Sequence, residues 1–208
     1  MPNMNHLRAV LVCDGKSDAA LEHPFRWLLK HHGFSGTLDF QVVHPSATEP
    51  RKLEKRLLNA VENWTPGLLL IHRDAESQTY EARLLEIQTA IRNLNIVSWI
   101  PEIPVRMLES WLLFDEKAIR LASGNPRGTS KLNIPRKIGQ LETLSDPKNV
   151  LFEALRTASE LSGRRLQKFV PDRHRHLVAE EITDFSPILK LPAFGEFSKT
   201  IKDLIARS

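Results

Sequence analysis

Apolar and polar positions alternate between two periods along the first hundred residues. Residues 7–13 (LRAVLVC) form a short apolar run that reads as a buried strand. The spacing then changes to that of a helix, with Leu21, Phe25, Leu28 and Leu29 on one stripe. Ser17 is placed to cap this helix and Gly33 to end it. Residues 38–43 (LDFQVV) alternate like a second strand, and Pro50 opens a helix through Trp64 with Leu53, Leu57, Leu58 and Val61 on one face. Leu68 to Ile71, bounded by Pro66 and Gly67, are continuously apolar, as in a strand covered on both faces. A helix from about Thr79 to Asn95 uses Leu84, Ile87, Ile91 and Leu94, and IVSWIPEI (96–103) is a fourth strand. This β-α order predicts an α/β fold: an open, mostly parallel sheet with helices on both faces.

Beyond Pro104 the strand signals stop. Residues 105–124 read as one or two helices stopping at Gly124, and NPRGTSKLNIPRK (125–137) is a loop by its Gly, Pro, Asn and Ser content. A helix from about Pro147 to Ser162 turns Val150, Leu151, Leu155 and Leu161 inward. Shorter helices follow near Leu177 and from about Phe194 to Ile205. The expected division is an α/β core over residues 1–105 and a helical extension over 106–208 packed on it.

Composition supports a packed core, with 41% apolar residues among 208. No apolar run approaches membrane-span length, and the N-terminus lacks a signal-peptide stretch. A single cysteine, Cys13, rules out an internal disulfide and fits a reducing, cytoplasmic setting. The charge is uneven. Lys117 to Arg175 hold 13 Lys and Arg against 5 Asp and Glu, whereas the rest of the chain leans acidic. That asymmetry suits a site that holds cations beside a surface that attracts phosphates, though a solvated basic face would look the same.

The stretch CDGKSD (13–18) raises a choice between two chemistries. A phosphate-cradling P-loop needs a glycine five residues before its Gly-Lys pair. Val10 stands there instead, and Asp14 would repel a phosphate. The carboxylates offer a better use. Asp14 follows the first strand, Asp74 and Glu76 follow the third, and Asp18 lies one helical turn after Asp14. Ligands of open parallel sheets bind beyond the carboxyl ends of the strands. Clustered acids there repel one another unless a cation joins them, and oxygen ligands suit Mg²⁺ or Mn²⁺. Taken singly, each acid could equally be a helix cap.

With DGKSD at 14–18 and DAE at 74–76, the chain resembles the TOPRIM superfamily of topoisomerases, bacterial primases and overcoming-lysogenization-defect nucleases. That family carries Glu-Gly-x-Thr-Glu after its first strand and Asp-x-Asp after its third. Asp14 stands in for the first glutamate, Ser17 for the threonine and Asp18 for the second acid; Asp74 and Glu76 fill the Asp-x-Asp positions. Asp14 is one methylene shorter than the family's glutamate, and Glu76 one longer than its aspartate. IPVRMLESWLLFDEKAIR (103–120) is similar to small TOPRIM-like bacterial proteins, some resembling partners of ATPases in phage-defence loci. The resemblance covers roughly residues 7–120.

The resemblance implies metal-assisted phosphodiester cleavage by a nuclease or nucleotidyl-transfer protein, acting with an ATPase partner. Asp74 and Glu76 would hold the ion, Asp14 would serve as ligand or general base, and Asp18 would support a second ion. Glu109 is a weaker ligand candidate among apolar neighbours, with a pairing to Arg106 as its alternative use. Arg164, Arg165 and Lys168 in SGRRLQKF, with Lys16 and Arg73 beside the acids, are the candidate contacts to nucleic-acid phosphates. DNA and RNA are not distinguished, because no groove-reading motif is present. HRD at 72–74 lacks the other kinase signatures, and HRH at 174–176 is too sparse for a zinc site. Two other readings remain open: a non-catalytic TOPRIM-like subunit that binds a partner or nucleic acid, and a receiver-like domain with an acidic pocket at Asp14 and Asp74.

Overall fold

The computed structural model describes residues 5–44, 52–75, 78–94, 98–104 and 108–207. Four strands, β1 (His6–Val12), β2 (Thr37–Val43), β3 (Leu68–His72) and β4 (Trp99–Glu102), make one parallel sheet in the order β2-β1-β3-β4. The register sets Val12 opposite Val43 and Ile71, and His72 opposite Glu102. All four carboxyl ends therefore open on the same edge.

The predicted α/β class is present, and the pleat explains how it is held. Side chains of successive strand residues point to opposite faces. Leu7, Ala9, Leu11, Leu68, Leu70 and Ile100 enter one apolar cluster; Val10, Val12, Leu69 and Ile71 enter a second. Helix α2 (Leu53–Trp64) and α3 (Tyr80–Ile91) cover the second cluster through Leu57, Ala60 and Ile87. The first is covered by α1 (Glu22–His31) through Phe25, Leu28 and Leu29.

The chain beyond the sheet continues that first layer. It forms α4 (Glu116–Ala122), α5 (Pro147–Ser159), α6 (Gly163–Lys168), α7 (Arg175–Glu181) and α8 (Pro192–Ala206), with short 3₁₀ turns between them. Ile119, Leu151, Leu155, Val178, Phe194 and Ile201 share one buried cluster with Leu7 and Leu11 of the sheet. Trp111, fully buried, packs edge-on against Phe194 and donates its indole N–H to Glu142.

Local differences from the expected elements have local causes. The segment after β1 starts as a 3₁₀ turn, Lys16–Leu21, before α1. Ser17 does not cap a helix there; its hydroxyl donates to Asp18, whose other oxygen accepts the Gly15 amide. Gly33, at φ 89°, ends α1 as expected. Helix α5 ends at Ser159, three residues before the expected Ser162, with Glu160 capping it at φ 50°. Pro50, Asn95 and the first residues of the fourth predicted strand lie outside the described residues. No helix among the described residues is long and apolar enough to cross a membrane.

Candidate metal centre at the carboxyl edge of the sheet

Asp14, Asp18 and Asp74 gather at this edge, but the pleat divides them between its two faces. Asp14 continues the alternation Val10, Val12 and so turns toward α2 and α3. Arg56 of α2, only 4% exposed, donates to the Cys13 carbonyl and, at 2.6 Å, to Asp14 Oδ1. Arg73 holds the other Asp14 oxygen and reaches Glu86 at 2.8 Å; Arg83 joins Glu86 at 2.9 Å and the Asp74 carbonyl at 3.0 Å. Burial pushes the Asp14 carboxyl up, but the two guanidiniums outweigh it and hold the group below its ordinary range. Both Asp14 oxygens are thus taken by arginine.

The other face holds a histidine that the sequence reading passed over. His72 follows Leu68 and Leu70 in the alternation of β3, and Glu102 follows Ile100 in β4. Both are completely buried, and the His72 Nδ1 bonds to the Glu102 carboxylate across the strand pair. On the opposite side of the ring, Nε2 lies 3.4 Å from Asp74 Oδ1 and 3.7 Å from Asp18 Oδ2. These are ion-pair separations. Neither Nε2 nor Asp74 Oδ1 has an aligned hydrogen-bond partner, although both atoms are buried.

Burial opposes charge on this imidazole, yet Glu102 and then Asp74 overcome it and raise the His72 pKa well above its ordinary value. Burial also pushes the Glu102 carboxyl above its ordinary range, against the pull of the His72 ring. Cys13 is buried in the same cluster as Leu11, Leu68 and Leu70. Its thiol, pushed up to about 12 by burial and then by Asp18, donates to the Gly15 carbonyl and is not a nucleophile at neutral pH.

The remaining candidates are dispersed. Glu76 lies outside the described residues, as does Arg106. Glu109 is buried in the 3₁₀ turn after β4 and pairs with Arg175 of α7, which also holds Asp172 at 2.8 Å. That carboxylate is committed to joining the extension together. Lys16 is exposed at the edge, in the same turn as Asp18. Arg73 is held between Asp14 and Glu86, so a phosphate there would compete with two carboxylates. Arg164, Arg165 and Lys168 are exposed on α6. Among the described residues, no group of three or more His, Cys, Asp or Glu side chains is placed so that it could hold a metal ion.

No protein-family model, curated protein or solved structure matches the chain.

Proposed function

We propose that this chain is a divalent-metal-dependent phosphodiester hydrolase or nucleotidyl-transfer protein acting on nucleic acid, with its centre at the carboxyl edge of the sheet. The reading is carried by one observation: Asp18 and Asp74, delivered after the neighbouring strands β1 and β3, come together at one edge of the sheet, both within ion-pair distance of the Nε2 of buried His72. Asp18 and Asp74 would hold the ion, with Glu76 as the further acid supplied by the sequence motif.

When bound, a dication supplies charge neutralisation at the phosphate and lowers the pKa of a coordinated water. The chain's own side chains do the rest. The Gly15 amide and Ser17 hydroxyl fix both oxygens of Asp18, so its carboxylate is oriented in advance. Lys16, exposed in the same turn as Asp18, gives an incoming phosphate a positive neighbour. Asp14 takes a supporting role instead of that of ligand or base: it anchors Arg73 and Arg56 and so fixes the loop that carries Asp74. Arg164, Arg165 and Lys168 would extend phosphate contacts without reading sequence.

The test is cleavage of single- and double-stranded DNA and RNA with Mg²⁺ or Mn²⁺, compared between wild type and Asp74→Asn. Metal-dependent cleavage that the substitution abolishes is expected; undiminished cleavage by Asp74→Asn would remove the site. A second reading, a non-catalytic subunit that binds an ATPase or nucleic acid, is favoured by the capture of both Asp14 oxygens by arginine. Partner binding without cleavage or metal uptake would establish it instead.

A further inference from the structure

Beside the motif acids, the carboxyl edge opens into a cavity of about 470 Å³ that the proposed chemistry leaves unused. Its size lies in the range of small-molecule sites, about 300–1,000 Å³. Ala75, the residue after Asp74, and Ile103, the residue after Glu102, line it from the ends of β3 and β4. Tyr80 at the start of α3 and Ala193 and Glu196 in the first turns of α8 line it from the helices. Resting on the nucleic-acid reading above, we propose that this cavity takes one unstacked guanine base of a single strand. Glu196 reads its base-pairing edge and Tyr80 supplies the aromatic wall.

The lining decides the ligand. Ala75 and Ile103 are each 4% exposed, so the inner wall is apolar and favours a flat, uncharged body. Burial, and then the Glu196 carboxylate, raise the Tyr80 hydroxyl above its ordinary range, so α3 and α8 bring phenol and carboxylate within electrostatic reach. A phosphate entering here would meet that negative charge; a base would not. Among the described residues, the ion pair of Glu196 is with Lys199 at 4.0 Å, and the carboxylate stands 48% exposed. Its oxygens are therefore open to donors from a ligand.

Guanine offers those donors. Its base-pairing edge presents two adjacent N–H groups, the ring N1–H and the N2 amino group, which match the two oxygens of a carboxylate. Adenine and cytosine set one amino donor beside a ring acceptor, which a carboxylate repels, and uracil and thymine set one N–H between two carbonyls. Proteins that hold an unstacked base read this edge by hydrogen bonds and stack the ring on aromatic or apolar side chains. Because Ala75 directly follows Asp74, a base held here anchors its strand beside the proposed centre, and cleavage falls next to guanine.

Tyr80 is the single tyrosine of the chain, so ¹³C-tyrosine labelling of the full chain gives one NMR reporter in the cavity. The probes are GMP, AMP, CMP and UMP, and thymine strands with and without one guanine. The Tyr80 signal should shift with GMP at least about tenfold more tightly than with the other three, and more tightly again with the guanine-bearing strand. Glu196→Gln, at an exposed position that leaves the fold intact, should remove the preference for guanine. Ala193→Leu, which fills the cavity, should weaken binding of every probe. Equal affinity for the four nucleotides, an unchanged preference in Glu196→Gln, or no Tyr80 shift overturns the inference. GMP binding as tight as the strand overturns the strand as the source of the base. Metal-dependent cleavage without guanine preference or Tyr80 shift overturns the inference and leaves the phosphodiesterase reading standing. Guanine-selective binding in a chain that cleaves no nucleic acid supports the cavity's assignment and overturns that reading instead.

Discussion

His72 and Glu102 face each other across β3 and β4, both without solvent exposure, joined through Nδ1 and the carboxylate. Removing one partner of a buried pair strands the other in a low-dielectric interior. Glu102→Ala should therefore cost about 3–5 kcal/mol, and Glu102→Gln less, because its amide oxygen still accepts from the ring. Denaturant unfolding of both variants measures the difference. Equal stability of wild type and Glu102→Ala would mean that the pair contributes nothing to the fold.

The clamp on Asp14 should behave as a coupled unit. Arg56 is almost fully buried and serves both the Cys13 carbonyl and Asp14. Arg56→Met is expected to destabilise by about 2–4 kcal/mol, since it leaves a backbone acceptor and a carboxylate without that donor. In a double-mutant cycle with Asp14→Asn, the two effects should fall short of additivity by about 1 kcal/mol or more. Strict additivity would show that the ion pair is incidental.

How much of this was readable beforehand follows from the pleat. The strand order β-α-β-α-β-α-β, the two-sided burial of Leu68–Ile71 and the end of α1 at Gly33 were legible because period and punctuation are local properties. The gathering of acids at the carboxyl edge followed from the parallel topology. What the reading missed was parity. Asp14 shares a face with Val10 and Val12, whereas His72 shares one with Leu68 and Leu70, so the arginine clamp and the imidazole separate onto opposite sides. Counting alternate residues back from His72 and Glu102 is the available signal; HRD by itself resembles only a kinase motif. Glu109 was a different failure. Its partner, Arg175, lies 66 positions away in α7, and no local pattern announces that pairing.

Glu160 supplies a pH-dependent prediction away from the edge. It ends α5 in the left-handed region and its Oε1 accepts the amides of Thr129 and Ser130 at 2.6 and 2.7 Å. Those backbone bonds lower its pKa from 4.5 to about 2. A depressed carboxyl stabilises the fold above its unfolded pKa and loses that contribution as pH falls toward the folded value. Glu160→Gln should therefore be less stable than wild type at pH 6 and approach it as the pH drops from about 4.5 to 2. Thermal unfolding across that range measures it, and a pH-independent difference would contradict the assignment.

The basic residues of α6 give a prediction about nucleic acid. Arg164 and Lys168 are exposed and four residues apart on one short helix. If they meet phosphates, replacing each by alanine should weaken binding equally across sequences and reduce the salt slope by about one per contact. Fluorescence anisotropy with labelled DNA and RNA over a salt series measures this. An unchanged slope would place the nucleic-acid surface elsewhere.

Anomalous scattering from crystals soaked in Mn²⁺ tests the central claim most directly. The account predicts a single strong peak at the carboxyl edge, within about 2.0–2.3 Å of Asp74 and in contact with Asp18 or its water. Crystals that take up no ion there, or that bind it at the Asp14 clamp, would contradict it.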